Sequence, residues 1–297
     1  MTSIDTSFES HGERCAGTLM LPAKVARPPV IVMAHGFGAP RAAGLAAFAE
    51  RFVAEGYAAY LFDYRNFGDS SGRPRHWVSP RRHLQDWASA VAHVRTLVQI
   101  DTQRLVLWGT SFSGGHVIQT AALDPQVRAV IAQVPHVSGI ASMKQIPIGI
   151  SLRMTLAALR DVLGDMLGRP HYSPIVGRPG ELAALTGDDA SHGYPKLLPP
   201  GAKWENRMLS RVFFEVPLYS PIRHASKVSA PSLIVAGRDD TITPASAAKR
   251  AAGRMKNCTF HLVEGNHFQL QLPDEEAFAT SLAIQLDFLR RHLGAAT

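Results

Sequence analysis

Cysteine is scarce in this sequence, with Cys15 and Cys258 the only two among 297 residues and no C-x-x-C pair. That excludes a disulfide framework and a thiol-built metal cluster, and predicts two free, buried thiols. Long apolar runs are also missing: no stretch approaches the roughly 20 residues that span a bilayer, so no stable membrane insertion is expected. The opening residues, MTSIDTSFES, have neither a basic nor an apolar segment. No secretory leader is expected, and the cytoplasm is the expected compartment. Runs of like charge are absent as well. The formal net charge of +7 is scattered, with pairs such as Arg81-Arg82 and Arg290-Arg291 but no run of five. It reads as a solvated surface rather than a nucleic-acid-binding face. There is no H-E-x-x-H and no His-Cys cluster, so no metal or cofactor is expected. An apolar content of 46% against 19% charged residues still describes a chain able to bury a sizeable core.

What is present is organised around Arg104 to Gly115, RLVLWGTSFSGG. Leu105 to Trp108 form a continuous apolar run, the pattern of a parallel strand buried on both faces. Gly109, Gly114 and Gly115 bracket Ser111, and a helix-compatible segment from His116 to Leu123 follows. A serine among glycines at a strand-to-helix turn is a nucleophile elbow, in which small neighbours let the backbone double back and present the hydroxyl. The usual pattern is G-x-S-x-G. Here Ser113 stands at the second glycine position, and its small side chain with Gly114 behind it is expected to preserve the turn.

The rest of the chain repeats the strand-helix rhythm. A hairpin is predicted over 4–22 around His11-Gly12, and buried strands at Val30 to Ala34, Tyr57 to Asp63, Val127 to Val134, Ser232 to Ala236 and Thr259 to Val263. Helices are predicted over 42–55, 80–98, 245–254 and 275–290. This alternation predicts an α/β fold with a mostly parallel, doubly wound sheet. It breaks over 136–229, expected to be an inserted cap on a core formed by 1–135 and 230–297. The cap's main helix, Ile150 to Leu167, carries Leu152, Leu156, Leu159, Val162, Leu163 and Leu167 on one face. That face is expected to pack on the body rather than lie on lipid. Irregular chain from Arg169 to Gly201 and a second helix near Glu205 to Phe214 complete it.

A serine hydroxyl is a weak nucleophile at neutral pH and needs a base, oriented in turn by an acid. In an open α/β sheet these belong in loops at the carboxyl ends of the strands, in the order serine, acid, histidine. The turn Gly237-Arg238-Asp239-Asp240-Thr241-Ile242-Thr243-Pro244 offers an acid. Of thirteen histidines, His267 alone follows the last strand on a glycine-containing turn. Oxyanion donors should be fixed backbone N–H groups. They are expected at Phe112, after the serine, and at Phe37 in the turn His35-Gly36-Phe37-Gly38. Asp63 ends a strand as a second carboxylate that the triad does not need, and His136 either lines the pocket or supports the fold.

The His35-Gly36 turn, the Ser111 elbow, the acid turn ending in Pro244 and the late His267 together resemble the α/β-hydrolase fold over essentially the whole chain. DYRNFGDSSG (63–72), GTSFSGG (109–115) and IVGRPGELAALT (175–186) are similar to an esterase-like branch related to dienelactone-hydrolase-type and polyketide-transferase-like proteins. The resemblance places the acid three residues after the turn's glycine and four before its proline, at Asp240 rather than Asp239. The HGGG signature is absent, which implies the simpler oxyanion arrangement. The implied function is a serine hydrolase of carboxylic esters, with Ser111, Asp240 and His267 as triad; the apolar cap adds the expectation of a small substrate bearing a hydrophobic part. An acyltransferase with the same triad is the alternative, followed by a peptidase or C–C hydrolase; a non-catalytic binding module is the reading from another class. The oligomeric state stays open, a homodimer included.

Overall fold

The computed structural model describes residues 1–143 and 146–294. Its centre is an eight-stranded sheet. In chain order the sheet strands are β1 (Thr2–Ser10), β2 (Glu13–Leu21), β3 (Pro29–Ala34), β4 (Ala58–Phe62), β5 (Asp101–Thr110) and β6 (Ala129–Gln133). After a long insertion come β11 (Ser232–Gly237) and β12 (Cys258–Val263). The spatial order is β1-β2-β4-β3-β5-β6-β11-β12. Only the pairings β1–β2 and β2–β4 are antiparallel; the other five are parallel. The expected mostly parallel α/β sheet is therefore what the chain forms.

Alternation along the strands divides the core into two layers. Ile31 and Met33 of β3 face α1 (Leu45–Ala54) and α9 (Glu276–Leu293), packing with Phe48, Phe52 and Phe288. Val30, Val32 and Ala34 face the other way, toward α2 (Pro80–Val94), α3 (Phe112–Leu123) and α8 (Ala245–Ala252). The expected hairpin forms over 2–21, with β1 and β2 pairing along their full lengths. Cys15 is buried as expected, whereas Cys258 is only half-buried, since β12 lies at the edge of the sheet.

Between β6 and β11 the chain carries α4 (Gly139–Met143), α5 (Ile148–Asp165), α6 (Asp188–Lys196) and α7 (Val212–Glu215). Four two-residue strands complete this insertion: β7 (Tyr172–Ser173), β8 (Val176–Gly177), β9 (Leu185–Thr186) and β10 (Met208–Leu209). Two expectations fail here. The helix expected near 205–214 is mostly extended chain, with only the short α7 at its end. Asn206 explains why: its side chain accepts from the N–H groups of Ile175 and Val176 and donates to the Val176 carbonyl, which pulls the segment alongside 175–176.

The second failure is the orientation of α5. Leu152, Leu156, Leu159, Val162, Leu163 and Leu167, the face expected against the body, are all exposed. The helix buries Met154, Ala157, Ala158 and Asp161 instead. Asp161 sets this rotation. Its carboxylate accepts from the Arg211 guanidinium at 2.8 and 3.0 Å and from the N–H groups of Arg211 and His171. A buried carboxylate must meet its donors, so the helix turns its polar residue inward and leaves its leucines outside.

Candidate active site

The end of β5 delivers Ser111 into the turn before α3 with φ 57° and ψ −119°, in a region where a non-glycine residue is strained. The surroundings fix it there. The Ser111 N–H donates to the Gln133 carbonyl at 2.9 Å, and the His136 N–H donates to the Ser111 carbonyl at 2.9 Å. Small neighbours are obligatory, since a Cβ on Gly109 would lie 2.3 Å from the Ser113 carbonyl oxygen and one on Gly36 would lie 3.0 Å from the Ser111 Cβ. Ser113, in place of the usual second glycine, is accommodated and joined to the Tyr64 hydroxyl at 2.9 Å.

His267 lies in the loop after β12. Asn266 shapes this loop by accepting from the N–H groups of Phe268 and Gln269. Gln271 ties it to the elbow, donating to the His267 carbonyl and accepting from the Thr110 hydroxyl. The imidazole meets Asp240 Oδ2 through Nδ1 at 2.7 Å and Ser111 Oγ through Nε2 at 3.0 Å. With Nδ1–H donating to the carboxylate, the Nε2 lone pair faces the serine hydroxyl. Asp240, not its exposed neighbour Asp239, is the carboxylate the structure sets against His267. Asp240 Oδ1 accepts the N–H groups of Ile242 and Thr243, and Oδ2 also lies 2.8 Å from the Thr243 hydroxyl. Such an arrangement can move a proton from Ser111 to His267 and stabilise the resulting imidazolium.

Phe37 and Phe112 lie beside Ser111 in the wall of one cavity, their rings 5.2 Å apart. The Phe112 N–H is in the first turn of α3, where backbone donors lack helical partners. The Phe37 loop is held by its carbonyls. His35 Nδ1 lies 2.9 Å from the Gly36 carbonyl, the Tyr194 hydroxyl donates to Phe37 at 2.8 Å and Trp204 Nε1 donates to Gly38 at 3.1 Å. Tyr194 and Trp204 belong to the insertion and carried no sequence signal. Thr243 did carry one, the Asp-x-x-Thr spacing of a side chain that folds back on its own turn.

The cavity measures about 210 Å³, more than ten times what a single water needs. Its wall includes Ile146, Met154, Val212 and Ile242. His136 also lines it, with its Nδ1 3.3 Å from the Ser142 hydroxyl. Burial pushes His136 down to about 4, aided by the nearby His267, and burial pushes His35 down to about 4. His83 and His116, packed behind Phe112, are pushed well below the usual imidazole range by burial. Asp63 serves the fold, accepting from the N–H groups of Arg41 and Asp69 and pairing with the Arg41 guanidinium. Among the described residues no group of three His, Cys, Asp or Glu side chains is placed to hold a metal ion.

The sequence profile of the family described as Serine aminopeptidase, S33 (Hydrolase_4) matches residues 27–192, more than half of the chain. The chain belongs to this S33 family of α/β hydrolases. The match spans the Phe37 loop, the Ser111 elbow and part of the insertion, and stops before Asp240 and His267. The quorum-quenching protein AidA of Acinetobacter baumannii (strain MDR-ZJ06) is 39% identical over 97% of this chain and 94% of its own. The polyketide transferase af380 of Aspergillus fumigatus (strain ATCC MYA-4609 / CBS 101355 / FGSC A1100 / Af293) is 28% identical over 90% of this chain and 91% of its own. Among solved structures, the α/β hydrolase GrgF from Penicillium sp. sh18 superposes with a TM-score of 0.84 at 24% identity, covering 98% of this chain and 99% of GrgF. The likeness to polyketide-transferase-like proteins noted from the sequence stands. This S33 chain has, among its described residues, no helix long and apolar enough to cross a membrane.

Proposed function

We propose that the chain is a serine hydrolase of carboxylic esters that works through an acyl-enzyme on Ser111. The observation that carries this reading is the pair of contacts made by one ring, His267 Nε2 to Ser111 at 3.0 Å and His267 Nδ1 to Asp240 at 2.7 Å. Ser111 Oγ attacks the ester carbonyl while its proton passes to His267 Nε2, and Asp240 holds the imidazolium. The Phe37 and Phe112 N–H groups receive the oxyanion. Collapse expels the alcohol, which takes its proton from His267. A water, deprotonated by His267, then attacks the acyl-enzyme and releases the acid. The apolar wall at Ile146, Met154, Val212 and Ile242 suits a hydrocarbon substituent. In this reading residues 136–229 act as a cap that closes the cavity over the core.

Turnover of p-nitrophenyl esters of graded chain length tests the reading. Wild type should be active, Ser111→Ala should lose at least about 10³-fold in kcat, and Asp240→Asn should lose a comparable factor through loss of the oriented tautomer. A Ser111→Ala protein as active as wild type would refute the reading. The name of the Acinetobacter relative makes quorum signals the first natural molecules to assay.

A second reading keeps the acyl-enzyme and changes the acceptor. It is favoured by the relatives named polyketide transferase. Transfer predicts that added alcohol or amine acceptors capture most of the acyl group at low concentration, whereas hydrolysis predicts that free acid stays the main product.

A further inference from the structure

We propose that the outward face of α5 is the self-complementary interface of a homodimer. Ile148, Leu152, Leu156, Leu159, Val162 and Leu163 are exposed, as are Met166 and Leu167 just beyond the helix, from 40% at Val162 to 87% at Ile148. At ~100° per residue these eight side chains fall within about 140° of the circumference, opposite the buried Met154, Ala157, Ala158 and Asp161. They form one stripe, in which the exposed Thr155 near one edge is the polar residue.

Size argues for a partner. Eight aliphatic side chains so exposed present on the order of 1,000 Å², beyond the ~300–600 Å² of the largest patch on a typical monomer. That area also exceeds the ~800 Å² each protomer contributes to a standard interface. Composition argues for a second copy. The stripe holds Leu, Ile, Val and Met with no lysine and no carboxylate, and Arg153 and Arg160 lie along one edge. Homodimer interfaces have this apolar core and arginine-bearing rim. A helix that lies on lipid carries aromatic anchors and directs charge at headgroups. The α5 stripe has no aromatic residue, and the cations beside it are two, Arg153 and Arg160, both along one edge. A surface of one element that must cover itself does so across a two-fold axis. Two α5 helices crossing antiparallel bring Leu159, near the middle of the stripe, against its own copy and set Ile148 toward the far end of the partner helix. Met154 on the inner side of the same helix, with Ser151 and Thr155 along the edge of the stripe, walls the cavity at Ser111, so the partner braces that wall.

Sedimentation and light scattering on the intact protein test this. Wild type should weigh twice its 32.2 kDa chain mass at micromolar concentration. The double variant Leu156→Glu/Leu163→Glu should keep the wild-type circular dichroism spectrum and raise the dimer dissociation constant by more than about tenfold. Independently of that variant's folding, Leu159→Cys should form a disulfide-linked dimer under mild oxidation while Ile148→Cys and wild type do not. A wild type that stays monomeric at 100 µM overturns the proposal. So does a dimer unaffected by both charges in which Leu159→Cys fails to cross-link. A monomer that floats with phosphatidylglycerol vesicles gives the face to lipid and equally overturns it.

Discussion

At the scale of single residues, the candidate site rests on side chains that position backbone groups. Tyr194 spends its hydroxyl on the Phe37 carbonyl, next to the N–H assigned to the oxyanion. One hydrogen bond of this type is worth ~0.5–1.5 kcal/mol, so Tyr194→Phe should lower kcat about threefold to tenfold with little change in KM. Steady-state kinetics checks it, and an unchanged kcat would remove Tyr194 from the account. Thr243 braces Asp240 from the other side: its hydroxyl lies 2.8 Å from the carboxylate and 2.9 Å from the Val134 carbonyl. Ser111 and His267 were legible in the sequence because glycine spacing and position after a strand are local signals. Tyr194 and Trp204 were not, since each acts on a main-chain carbonyl distant in sequence, and such a contact leaves no local pattern.

At the scale of elements, a buried polar network fastens α9 to the sheet. Trp108 Nε1 donates to Gln285 Oε1 at 2.6 Å, Gln285 Nε2 donates to Gln133 Oε1 at 2.6 Å, and Ser281 donates to the same Gln133 oxygen at 2.9 Å. Gln285→Leu would keep the volume and strand the Trp108 N–H in an apolar layer. It should cost about 1–3 kcal/mol, read as a lower urea midpoint at unchanged slope. The strands were readable because a parallel strand covered on both faces must be a continuous apolar run. The insertion was not. Periodicity in α5 reports which residues are apolar, but the rotation of the helix is fixed by Asp161 finding Arg211 across the fold. The helix α6 went unread because Gly193 and Pro195 interrupt its sequence.

At the scale of the whole molecule, buried neutral histidines couple stability to pH. His35 and His136 titrate at about 4 in the folded chain, against about 6.5 when unfolded. As pH falls from 6.5 toward 4 the unfolded state takes up protons that the folded state refuses, so stability falls with pH across this window. Each of the two contributes up to about 3 kcal/mol to the loss. His83 and His116 act in the same direction, and burial raises the carboxyls of Asp86 and Glu215 in the opposite sense. The net expectation is a urea midpoint clearly lower at pH 4.5 than at pH 7. An equal midpoint at the two values would contradict it.

The central claim is that Ser111 carries the acyl group, and trapping it covalently is the most direct test. Intact-mass measurement after treatment with a fluorophosphonate, followed by peptide mapping, should show one adduct on Ser111 in wild type. Ser111→Ala should show none, and His267→Ala should label far more slowly. An adduct on another residue, or equal labelling of wild type and His267→Ala, would contradict the account.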